Sequence, residues 1–187
     1  MGFSLSWLAV KGKSSQAVLE ELGFRSTGQH ESIPESELTA VKMPNGWYLI
    51  VSQHTEQVVS DSLLRKLSAS GCELVTCSVE EHVMVSKSSE WKDGRIYWVV
   101  SHDAQKGSQD LDYQGELPSD FNSIKDGLIA KKLPDCDYIF DIPVETARSV
   151  VGYRYDQDVP GLNGDVFEVL SCSSKKSSFF KRLFGST

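Results

Sequence analysis

The chain is 187 residues long, 40% hydrophobic and 24% charged, with a formal net charge of −7. Leu, Ile, Val and Phe together supply 50 residues, about 27% of the chain, which excludes an intrinsically disordered protein. The acidic balance argues against a general nucleic-acid binder, which needs a basic field to release counterions from phosphate, and no apolar run approaches the about 18 residues of a membrane-spanning helix.

Residues 3–10 read as a strand, with Phe3, Leu5, Trp7 and Ala9 on one face and Ser4, Ser6, Leu8 and Val10 on the other. Ser14 then offers an N-cap, Val18, Leu19 and Leu22 an apolar stripe, and Gly23 a stop, which predicts a helix over 15–22. Residues 24–37 are polar and carry Gly28 and Pro34, so they read as a loop. Strands over 38–43 and 47–52 flank Pro44-Asn45-Gly46, a hairpin signal with a mechanism, since Asn-Gly accepts the positive φ angles of a tight turn. Thr55 opens a predicted helix over 56–69, with Val59, Leu63, Leu64 and Leu67 facing inward, Arg65 and Lys66 facing water, and Gly71 closing it. A strand over 72–79 follows. This N-terminal βαββαβ order is the ferredoxin-like arrangement, one that many unrelated functions share.

A β-hairpin over 81–90 and 95–103, turning at Lys92-Asp93-Gly94, extends the sheet. Residues 104–117 read as a polar loop. Ser119 or Asp120 caps a helix over 119–132, with Phe121, Ile124 and Leu128 inward and Pro134 beyond it. Tyr138 to Ile142 is a short apolar run, and Asp141 and Pro143 open a helix over 143–151 that ends at Gly152. Residues 153–164 are loop, and Val166 to Leu170 a last strand. The expected fold is thus α+β, a mixed, largely antiparallel sheet with helices packed on it. Residues 1–170 form a single domain, and 171–187 a Ser-rich linker with a short basic-aromatic tail. Four basic residues and no acidic one lie from 171 onward, so residues 1–170 carry −11.

Residues 1–10 lack the positive and long apolar regions of a secretory signal, and the four cysteines, Cys72, Cys77, Cys136 and Cys172, form no disulfide framework and no CxxC pair. The expectation is a cytoplasmic protein with free buried thiols and neither a metal nor another cofactor. Met1-Gly2-Phe3-Ser4-Leu5-Ser6 also fits an N-myristoylation pattern, against which stands its alternation as a first strand.

Histidine and carboxylate crowd together at Glu80-Glu81-His82 and Ser101-His102-Asp103. Neighbours on a strand point to opposite faces, so His102 cannot join Ser101 and Asp103 in a catalytic relay. Across the predicted hairpin, His102 falls opposite Val85 or Met84 as the loop length varies. The longer loop brings Glu80, His82 and His102 to one face, a set suited to a metal or to acid–base chemistry. Asp156, Asp158, Gly161, Asn163, Asp165 and Glu168 resemble a calcium loop in part, but Pro160 and Phe167 stand where oxygen ligands are needed. No phosphate loop, nucleophile elbow or zinc-protease motif occurs. Trp91, at the hairpin tip, reads as a partly exposed contact residue.

Three functions remain. The first is a non-catalytic intracellular interaction protein, of the bacterial accessory or immunity kind, whose acidic body binds a basic protein partner through Trp91, Asp156 and Asp158. The second is a small-ligand binder or enzyme using Glu80, His82 and His102. The third is a peripheral membrane protein that contacts anionic lipid through Lys175, Lys176, Lys181 and Arg182.

Overall fold

The computed structural model describes residues 2–131, 138–159 and 161–173. Nine strands form one sheet: β1 (Ser4–Lys11), β2 (Phe24–Glu31), β3 (Leu38–Lys42), β4 (Tyr48–Ser52), β5 (Glu73–Glu80), β6 (Val85–Lys92), β7 (Arg95–Asp103), β8 (Asp112–Gly115) and β9 (Phe167–Cys172). Four helices pack on it: α1 (Ser15–Leu22), α2 (Asp61–Ser68), α3 (Phe121–Ile129) and α4 (Asp141–Val151). The strand order is β2-β9-β3-β4-β1-β5-β6-β7-β8, and every neighbouring pair among these strands runs antiparallel. The expected α+β class with a largely antiparallel sheet is what the chain adopts.

The alternation in β1 decides how the two faces are covered. Leu5, Trp7 and Ala9 enter one core with Val75, Cys77, Val79, Trp98 and Val100 under α3 and α4. Leu8 and Val10 enter the other with Val18, Leu22, Leu64, Leu67 and Leu74 under α1 and α2. Helix α1 begins where its sequence signals say. The Ser14 hydroxyl accepts from the Ala17 N–H, and Gly23 takes the left-handed conformation at φ 74°.

Three local readings need correction. The segment 24–37 is not all loop, because residues 24–31 form β2. Its residues Arg25 to His30 are exposed, so no apolar alternation marks the strand; long-range pairing with β9 holds it, through a register shift around Gly28 at φ 77°. The chain therefore runs βαβββαβ through β5 instead of βαββαβ. Helix α2 starts at Asp61, not near Thr55. The Ser6 hydroxyl donates to the His54 carbonyl and the Ser52 hydroxyl to Gln57 Oε1, each at 2.6–2.7 Å, which ties the preceding residues into turns. Residues 112–115, read as loop, form the edge strand β8, whose four residues are all exposed.

Strand β9 runs to Cys172, and the Ser173 N–H donates to the Gly23 carbonyl at 2.8 Å, so pairing continues past residue 170. Pro134, Cys136 and the basic-aromatic tail lie outside the described residues. Among the described residues no helix is long and apolar enough to cross a membrane.

Candidate functional site

Register separates the two histidines. Paired residues across a sheet point to the same face and successive rows to opposite faces. Glu80, Val85 and Asp103 form one row; Val79, Ser86 and His102 form the next. His102 therefore turns to the face of α3 and α4, away from Glu80. The cause is a one-residue bulge in β7 at Tyr97: Glu90 pairs with Trp98 and Trp91 with Ile96. It shifts His102 from Val85 to Ser86, a slip that sequence alone does not reveal. His102 is 1% exposed, and its Nδ1 lies 2.6 Å from the Asp110 carbonyl oxygen, which requires Nδ1 to carry the hydrogen. Beside it the Ser86 hydroxyl donates to the Phe140 carbonyl at 2.7 Å.

His82 stays with Glu80, its Nδ1 2.7 Å from Glu80 Oε1 in the turn between β5 and β6. The Glu80 carboxyl is held below the usual carboxylate range, first by the Ser4 hydroxyl and then by His82. This is an open surface pair, with the His82 side chain 63% exposed, and His102 on the other face does not join it. Among the described residues no three His, Cys, Asp or Glu side chains are grouped to hold a metal ion.

Trp91 is also corrected: it is buried, not an exposed tip residue. The turn is only Asp93-Gly94, at φ 49° and 71°, and the Gly94 N–H donates to the Ser68 hydroxyl of α2 at 3.1 Å. That contact draws the hairpin end under α2. Trp91 pairs with Leu74 and donates through Nε1 to the Ser89 hydroxyl.

Asp156 and Asp158 fare differently, since both line a groove of about 1300 Å³. Its walls are the start of β1, the 32–35 turn after β2, the 153–164 loop and the start of β9. Arg154 anchors that loop. Its guanidinium meets Asp156 Oδ1 at 2.6 Å and Asp141 Oδ1 at 2.8 Å, and also Glu145, so α4 holds the loop. One groove carboxylate is thus already engaged by an internal cation, which argues against the calcium-loop resemblance.

The apolar part is aromatic. The rings of Phe3 and Tyr155 meet edge to face at 5.0 Å, and one carboxylate fixes both residues: Glu81 accepts from the Phe3 N–H at 2.8 Å and from the Tyr155 hydroxyl at 2.6 Å. Burial, and then that hydrogen bond, push the Tyr155 hydroxyl upward. Tyr153 lies deeper, edge to face with Trp7 at 5.6 Å. At the rim, Phe3 is 44% and Ile33 52% exposed. The described lining holds three carboxylates, from Glu35, Asp156 and Asp158, and no Lys, Arg or His. Chemically the described lining is a negatively charged slot with aromatic and aliphatic contact surface.

Sequence reasoning located Asp156 and Asp158 but missed Phe3, Ile33, Glu35 and Tyr155. Those four come from three distant segments, and only the pairing of β2 with β9 brings the 32–35 turn beside Phe167. Comparison of the chain with protein-family models, with curated proteins and with solved structures gives no match in any of the three.

Proposed function

We propose that this is a non-catalytic intracellular interaction protein, an accessory or immunity-like binder, whose acidic body takes up a basic protein partner in the groove between Phe3, Ile33, Tyr155 and Asp158. The observation that carries this reading is the described groove lining: three carboxylates, of which Asp156 is paired with Arg154 behind it, no cation among the lining residues, and two large apolar side chains at the rim. Exposed apolar side chains beside like charges supply what a protein contact needs, area to bury and a field that selects the partner's sign. The charge of −11 over residues 1–170 adds long-range steering of a cationic partner.

The test is capture from native extract with the wild-type chain and with a Glu35→Lys/Asp158→Lys variant, at low and at physiological ionic strength. A basic protein should be retained by the wild type, weakened by salt as the Debye length falls to about 8 Å at about 0.15 M, and lost with the variant. An identical set of proteins on both baits would refute the reading.

A further inference from the structure

Resting on that reading, we infer that the groove has an internal ligand: residues 179–184 of this same chain, Phe-Phe-Lys-Arg-Leu-Phe, occupy it, and a basic partner must displace them. The chemistry matches on both counts. The segment carries two adjacent cations and four apolar side chains and no acid. The described lining of the groove offers the carboxylates of Glu35 and Asp158 beside the Arg154-paired Asp156, no Lys, Arg or His, and the exposed faces of Phe3 and Ile33.

Reach is the second argument. Phe167, the first residue of β9, lines the groove, and Ser173 lies just past the other end of that strand, fixed to Gly23. At about 3.3 Å per residue the two are about 20 Å apart. The chain from Ser173 to Phe179, fully extended, spans roughly the same about 20 Å, so the residues that follow arrive at the groove. A random coil of eight residues, the number from 174 to 181, has a root-mean-square length of about 16 Å, near the distance to be bridged. A tether so matched gives an effective concentration on the order of 1 mM. An intrinsic dissociation constant of about 0.1 mM then suffices to fill the groove about ten parts in eleven, and any competing ligand binds about tenfold more weakly.

The experiment uses the full chain and reads the δ1 methyl resonance of Ile33 while a synthetic peptide with the sequence of residues 174–187 is added. The comparison is with a full-length variant carrying Phe180→Ser, Leu183→Ser and Phe184→Ser. The expected result is saturation of both at the same final Ile33 shift, with a midpoint about tenfold higher for the wild type and independent of protein concentration. Equal midpoints would overturn the internal ligand while leaving the groove as a site for basic-aromatic segments. A ratio of midpoints that rises with protein concentration would place the tail in a second copy and overturn the intramolecular form. No shift of Ile33 in either protein would overturn the inference together with the groove chemistry on which it rests.

Discussion

Trp98 donates through Nε1 to Glu90 Oε2 at 2.6 Å, a pair buried on the α3/α4 face beside the bulge where β6 and β7 change register. Glu90 is 7% exposed, and its other oxygen accepts from Lys92 at 2.9 Å. Both carboxylate oxygens are thus in use, and removing them strands an indole N–H in the core. Glu90→Ala should cost about 2 kcal/mol, or about 4–8 °C in Tm, whereas Glu90→Gln keeps an acceptor for Trp98 and should cost about half as much. Urea unfolding of the two variants decides it; equal stabilities would mean that the Trp98 contact contributes nothing.

The same bulge makes Gly115 a steric requirement. A Cβ at Gly115 would lie 2.1 Å from the Tyr97 carbonyl oxygen and 2.8 Å from the Trp98 Cα, and its φ is 92°. Gly46, at φ 89°, has open space around it. Gly46→Ala should therefore cost only backbone strain, about 1 kcal/mol, while Gly115→Ala should cost at least about 2 kcal/mol or detach β8 from β7. Hydrogen exchange of the β8 amides separates the outcomes: fast exchange in Gly115→Ala alone is expected.

The contrast between α1 and β2 explains how much was legible in advance. Helix α1 is written in local signals, Ser14, Val18, Leu22 and Gly23, and it forms where they place it. Strand β2 has no local signal, because an edge strand with both faces in water needs no apolar alternation. The two cores were legible from the alternation of Trp7 and Leu8. The candidate cluster of Glu80, His82 and His102 depended on one hairpin register, and a single bulged residue, Tyr97, turned His102 to the other face. Asp156 and Asp158 were visible as a charge pattern. Their aromatic neighbours were not, since no periodicity connects Phe3 with Tyr155.

The cysteines should differ sharply in reactivity. Cys77 is fully buried, and burial pushes its thiol up to about 12, Arg154 acting weakly the other way; burial raises Cys72 as well, while Cys172 is exposed. In a Cys136→Ser background, a thiol reagent should label Cys172 rapidly in the native protein, with Cys72 and Cys77 labelled only at the unfolding rate. The folded Cys77 pKa lies above its unfolded value, so its contribution is complete below about pH 9 and is lost as pH rises toward 12. Cys77→Ala should flatten that alkaline loss of stability, although the cavity it creates lowers stability at every pH.

Glu80 works in the opposite direction. Hydrogen bonds from Ser4 and His82 hold its folded pKa below the unfolded value, so its contribution is present above the unfolded pKa of about 4.3 and disappears as pH falls through the folded one. The stability difference between wild type and Glu80→Gln should be constant at neutral pH and shrink below about pH 4. A difference that stayed constant down to about pH 2 would show that the carboxylate charge has no part in it.

Arg154 ties the groove to the body of the protein. Its side chain is 12% exposed and meets Asp141 and Glu145 of α4 together with Asp156 of the loop. A guanidinium presents donors in a planar fork that can serve three carboxylates at once; a lysine ammonium at the same place is a single point charge on a flexible stem. Arg154→Lys should therefore cost about 1–2 kcal/mol, and Arg154→Met about 3 kcal/mol, because the latter leaves Asp141 and Asp156 without the guanidinium between them and Glu145 with Arg148 alone. Neutralising one of these carboxylates should relieve part of that cost. Asp156→Asn should destabilise the wild-type chain by taking away a partner, yet stabilise the Arg154→Met chain, a reversal of sign that a double-mutant cycle reads directly. If Asp156→Asn were destabilising by the same amount in both backgrounds, Arg154 and Asp156 would be uncoupled. The loop would then be held by the packing of Tyr153 and Tyr155 instead.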